Sequence, residues 1–306
     1  MSLSDRFRDL RNFVGANDGS APRLPENSEF AKFCWYTLVY TLAVVAWGVF
    51  LRASNFGDGC GSNWPFCGDN VDPIKGPVAT LVESSHRIST MLLGVLCLII
   101  VFWAYKSFEK GHPARKFAGG FLFMTLFEGW IGRYLVKRDL VTVNDTVERA
   151  VWMGVHVLST FLLLGALVGA ALSASKIRPI TFKKQGAVGW LLGFGFIGTM
   201  LLGVSGAIAA FGHQVDPSVV GLADRLKPTA FWAHKLAIAH PIGSVSIGLY
   251  LMLMSSLVQH LRQDPFVKNA SRALIGILII QGVVGVANIL LKAPVALQMA
   301  HLVLAD

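Results

Sequence analysis

Charge is what this chain has least of. Only 15% of its 306 residues are Asp, Glu, Lys or Arg, against 54% apolar residues and a mean hydropathy of +0.56. That balance excludes an ordinary soluble domain and points to an all-α, polytopic membrane protein. No cleavable leader is expected from the first residues: 1–32 are polar and carry Arg6, Arg8, Arg11, Arg23 and Lys32, which reads as a cytoplasmic arm ahead of the first span. Although the net charge is +9, the basic residues are spread over short loops and form no single patch. They read as topology signals, and nucleic acid is not among the expected partners. Cysteines number four, and two of them, Cys34 and Cys97, stand alone in apolar runs as packing residues.

Crossing about 30 Å of hydrocarbon takes roughly 20 helical residues. Apolar stretches of that order lie near 33–51, 83–105, 117–135, 150–173, 187–211, 231–257 and 273–291, and an eighth begins at Pro294. Residues 294–306 reach at most about 20 Å as a helix, so the eighth is expected to be a short half-helix unless further chain completes it. The arm and the loops 106–116, 176–184 and 262–272 hold 16 of the 27 Lys and Arg residues, which places those segments and the N-terminus in the cytoplasm. Other basic residues, including Arg52, Arg87, Arg133, Arg149 and Lys235, fall at outer helix ends. There they either hold acidic groups of a ligand or snorkel to the interface.

An internal repeat divides the chain. His86 recurs as His240, Gly48-Val49 as Gly203-Val204, and Glu128-Gly129-x-x-Gly132 as Gln281-Gly282-x-x-Gly285. The expected units are the arm 1–32, a four-helix half 33–175 and a second four-helix half 176–306 with its eighth helix cut short. An even number of spans inserts both halves the same way up, so a pseudo-twofold along the membrane normal should relate them.

Chemistry gathers in Leu81-Val82-Glu83-Ser84-Ser85-His86-Arg87. Glu83 and His86 are i and i+3 and share a helix face, and ionisable groups at the edge of the hydrocarbon mark a site by default. The second copy keeps the histidine, as His240, but has Ala237 at the carboxylate position. His86, His156, His240 and His301 all fall near the outer ends of even-numbered spans, two per half. Facing imidazoles of this kind ligate haem iron axially in helix bundles. The residues four positions on, Thr90, Thr160, Ser244 and Ala305, are small and leave room for a flat macrocycle. For any one of these histidines, interhelical hydrogen bonding is the alternative. His112 and His260 fall in cytoplasmic loops and His213 in an outer loop, where solvated side chains are expected. The first outer loop carries Cys60 and Cys67 in a Gly-rich stretch, and a disulfide, two reduced thiols or an exchanging pair all suit it.

With these residues in view, the chain resembles the haem A synthase family over residues 35 to 306. The likeness rests on Glu83-x-x-His86-Arg87, on Gly59-Cys60 to Trp64-Pro65-x-Cys67, and on His156, His240 and His301. It implies a catalytic N-terminal half, with Glu83, His86 and His156, and a C-terminal half in which His240 and His301 hold a resident haem b. The cysteine loop is part of that likeness, and a Cys60–Cys67 disulfide is expected there; Arg52 and Arg87, at outer helix ends, are the expected cofactor-binding residues, in a multi-pass protein of the bacterial plasma membrane. The implied reaction oxidises the C8 methyl of haem O to the formyl of haem A by successive hydroxylations, for aa3-type cytochrome oxidases. Haem O, membrane lipid, a haem O synthase, an electron donor and a second copy of the chain are the expected partners. Three features depart from the family pattern: no cysteine between Gly212 and Lys227, Pro241 after His240, and only five residues beyond His301. Two other functions use the same histidines, a bis-histidine cytochrome b that passes electrons from quinol and a haem-carrying oxidase assembly factor.

Overall fold

The computed structural model describes residues 26–68, 76–142, 144–175, 186–216, 218, 225–228, 231–261 and 265–306. The N-terminal arm up to residue 25 lies outside them. Helices cover almost all of the described chain: α1 Ser28–Ala53, α2 Val78–Ser107, α3 Pro113–Lys137, α4 Val147–Ser173, α5 Gly186–Val215, α6 Trp232–Leu236, α7 Ala239–Leu261, α8 Pro265–Leu290 and α9 Val295–Ala305. Local chemistry sets several of their starts. Asn27 accepts the N–H of Phe30 through its side chain, Thr146 accepts that of Arg149, and Pro113 opens α3, where its missing N–H costs nothing.

Among the described residues six helices are long and apolar enough to cross a membrane: α1, α2, α4, α5, α6 together with α7, and α8. The chain is a polytopic membrane protein. At 25 residues α3 also has the length of a span, but it is less apolar because Glu128 and Arg133 lie within it. The α6–α7 span is broken at Ala237–Ile238. Pro241 has no N–H to donate to Ala237, and its ring crowds that carbonyl, so a regular helix cannot run through this point. Large apolar side chains such as Phe102, Phe194, Leu253 and Val283 point outward and are exposed, as a lipid-facing surface requires.

In the first half α1 packs on α2, α2 on α3, α3 on α4 and α4 back on α1, which closes a four-helix ring. In the second half α5 packs on α7, α7 on α8 and α8 on α9. The halves join through α4 on α5 and through α9 on α1. Exchanging the halves turns the first of these contacts into the second, as a pseudo-twofold demands. The best-buried core, with Phe30, Cys34, Cys97, Ile100, Phe121 and Leu167, fills the first half away from the cysteine loop. Phe121 is fully buried there, so Phe121→Ala should destabilise by about 3–5 kcal/mol. Trp190→Ala, on a mostly exposed ring, should shift the detergent unfolding midpoint little.

Candidate haem-binding site

The four histidines stand at the end of the bundle that carries the cysteine loop, about two and a half turns or less inside their helices. His86 belongs to α2, His156 to α4, His240 to α7 and His301 to α9. Trp47 Nε1 donates to Ser85 Oγ (3.0 Å) and Tyr40 Oη to the Ser89 carbonyl (2.9 Å), which ties α1 to α2 on both sides of His86. Three of the rings press their Cε1 edges against glycines of a neighbouring helix. A Cβ at Gly48 would stand 2.9 Å from His86 Cε1, and Cβ atoms at Gly206 and Gly285 would stand 3.0 Å from Cε1 of His240 and His301. These are cradles that any larger residue would fill.

His156 rests on a carboxylate instead. Glu128 of α3 meets its Nδ1, and the hydroxyls of Ser159 (2.6 Å) and Thr160 (3.0 Å) donate to the same carboxylate. In the second half Ser205 Oγ bonds His240 Nδ1 (3.0 Å), and Gln281, the repeat partner of Glu128, donates to the His301 carbonyl (2.8 Å). A hydrogen-bond partner on Nδ1 fixes the tautomer and leaves Nε2 for a metal. Nδ1 of His86 and of His301 is buried with no hydrogen-bond partner within reach.

The donor set fits haem. The rings of His240 and His301 are 6.3 Å apart between centres and nearly perpendicular, at 86°. One metal bound at about 2 Å to a nitrogen of each would set the ring centres roughly 6 Å apart. His86 and His156 lie within charge–charge range of each other. Among the described residues no three His, Cys, Asp or Glu side chains converge. Each half therefore offers two imidazoles, the number of axial positions a porphyrin leaves open.

Glu83 and Arg87 form a buried ion pair, their side chains 3% and 9% exposed. Glu83 Oε2 also accepts the N–H of Cys60 (2.9 Å), and the Arg87 guanidinium donates to the carbonyls of Asn63 and Pro65. Thr80 Oγ1 donates to the Gly59 carbonyl (2.7 Å), and the Cys60–Cys67 disulfide closes the loop. Thus Arg87 is engaged with Glu83 and the loop, while Arg52 lies at the far end of α1, at the junction of the halves.

Sequence reasoning uses Glu128 only to align the repeat. A carboxylate inside a span is itself the signal that could have found it. Gly203, matched to Gly48 in the repeat, packs under Phe161, and Gly206 one turn on takes the role against the histidine. His112 is buried, stacks on Phe108 at 4.3 Å and caps α3 instead of standing in solvent. His213 lies in the last turn of α5 and not in a loop.

The family model described as cytochrome oxidase assembly protein matches residues 75–306. The chain belongs to this family, the haem A synthases among its members. It is 37% identical over 286 residues to a protein of Thermus thermophilus named protoheme IX farnesyltransferase, covering 92% of this chain and 47% of that relative. A haem A synthase of Halalkalibacterium halodurans is 29% identical over 158 residues, 51% of each chain. One from Alkalihalophilus pseudofirmus is 30% identical over 96 residues, 31% of this chain and 32% of the relative. The chain spans about half the length, or less, of these curated relatives.

Proposed function

We propose that this family member is a haem A synthase, which oxidises the C8 methyl of haem O to the formyl of haem A. The observation that carries the reading is the difference between the two imidazole pairs. Glu83 lies one turn before His86 on the same helix and Glu128 meets His156, whereas Ala237 and Gln281 hold the matching positions for His240 and His301. Taking a methyl group to an aldehyde with the oxygen atom of water releases four protons and four electrons, the electrons passing to an acceptor outside this chain, so the oxidising half needs titratable groups and the other needs none. A haem b on His240 and His301 would supply the electron path.

In the N-terminal half His86 and His156 hold the substrate haem, with Gly48 giving the macrocycle access to the His86 ring. Glu128 holds His156 with Nε2 facing the substrate. Glu83 is the proton acceptor, and its bond to the Cys60 N–H ties it to the disulfide loop above α2. The protein lies in the plasma membrane with its N-terminus in the cytoplasm. Haem O would come from a haem-farnesylating partner, in line with the name of the Thermus relative, which is about twice as long.

Extraction of pigments from protein purified out of its native membrane tests the reading. Haem O or haem A beside haem B is expected. Haem B alone would replace it with a bis-histidine cytochrome, and substoichiometric, exchangeable haem with a carrier.

A further inference from the structure

Where α1, α5 and α9 meet at the disulfide end lies a cavity of about 230 Å³, lined in part by Arg52, Asn55, His213, Gln214, Pro294 and Gln298. Two guanidinium groups beside it have no counter-charge among the described residues. Arg149, 1% exposed, donates to the Asn144 carbonyl (2.9 Å) and to Gln214 Oε1 (2.6 Å) and lies 5.4 Å over the Phe211 ring, and its Nε has no partner. Arg52 lies within charge range of Arg149 and makes no side-chain hydrogen bond or ion pair among the described residues. Gln214 stands between them, donating from Nε2 to the Arg52 carbonyl (2.9 Å) and to Asn55 Oδ1.

Two like charges in a medium of low dielectric repel strongly, and burial adds its own penalty to each. An arrangement of this kind is stable when an anion lies between or beside the charges. The α9 terminus adds to the attraction, because its first turn holds no acidic residue and starts at the rim of the cavity, after Pro294. Gln298 is one turn from His301 along α9, and Arg52 is within charge range of His156. Residues that line the cavity are therefore near a candidate haem histidine of each half.

We propose that this junction cavity is an anion site for the carboxylate or phosphate of an amphipathic ligand, with Arg52 making the charge-assisted contact. The ligand chemistry has two sources, the propionate carboxylates of a haem and the phosphate of a lipid headgroup. Assignment to haem rests on the function proposed above; the anion site does not.

The test uses the full chain in nanodiscs. Iron protoporphyrin IX and its dimethyl ester are titrated into wild type, Arg52→Gln and Arg52→Lys by absorbance, and retained phospholipid is read by native mass spectrometry. If a haem carboxylate is the ligand, Arg52→Gln should weaken binding of the diacid by about tenfold or more. The ester should bind equally to all three proteins, and Arg52→Lys should keep part of the preference for the diacid. Unchanged haem affinity together with an Arg52-dependent retention of phosphatidylglycerol over phosphatidylcholine identifies the occupant as a lipid headgroup. The proposal is overturned if Arg52→Gln alters neither ligand. Should wild type bind no haem at all, the haem A synthase reading fails while the lipid measurement still reports on the anion site.

Discussion

Glu128→Gln is expected to lower haem A formation by about 10- to 100-fold while leaving the absorption of the His240–His301 site unchanged. The carboxylate holds His156 Nδ1 and is itself held by Ser159 and Thr160. Gln keeps the volume and one acceptor but removes the negative charge that raises the basicity of the imidazole. A less basic axial ligand should also raise the reduction potential of the haem at that site, a readout that simple loss of packing would not move. Wild-type product and an unmoved potential in Glu128→Gln would reduce Glu128 to a structural residue. The variant sits in a half whose core is built at the other end of the bundle, so folding should survive.

The two carboxylates were unequally legible in the sequence, for a physical reason. Glu83 and His86 are three residues apart on one helix, and local periodicity alone puts them on one face. Glu128 and His156 are on different helices, and their meeting depends on how α3 and α4 are rotated about their axes, which hydropathy does not encode. The same limit explains Gly206: repeats match letters, whereas facing a ring depends on helical phase, and Gly203 is one turn away from it. The long apolar runs were readable because they are a property of composition. The break at Ala237–Ile238 was readable in principle from Pro241. Burial of Arg87 among the carbonyls of Asn63 and Pro65 was not, because a loop backbone gives no pattern in sequence.

Glu83→Gln is expected to retain haem b and to bind haem O while haem A formation falls by about 10²- to 10⁴-fold, the range for loss of a general acid–base group. The structure complicates that test. Glu83 is paired with Arg87 away from solvent, so the exposed-pair value of about 0.2 to 0.5 kcal/mol does not apply, and removing one partner of a buried pair costs about 3–5 kcal/mol. Loss of product in the single variant could then follow from an uncompensated Arg87 and a loosened loop. The double variant Glu83→Gln, Arg87→Gln separates the two, because it removes both charges and leaves the Cys60–Cys67 loop closed. If Glu83 accepts the proton, the double variant stays inactive although its thermal stability recovers. If Glu83 only balances Arg87, activity returns with stability, and the proton acceptor must be sought elsewhere. Glu83→Asp is a weaker control: one methylene shorter, it cannot hold both the Arg87 guanidinium and the Cys60 N–H, so it should restore one contact and only part of the turnover.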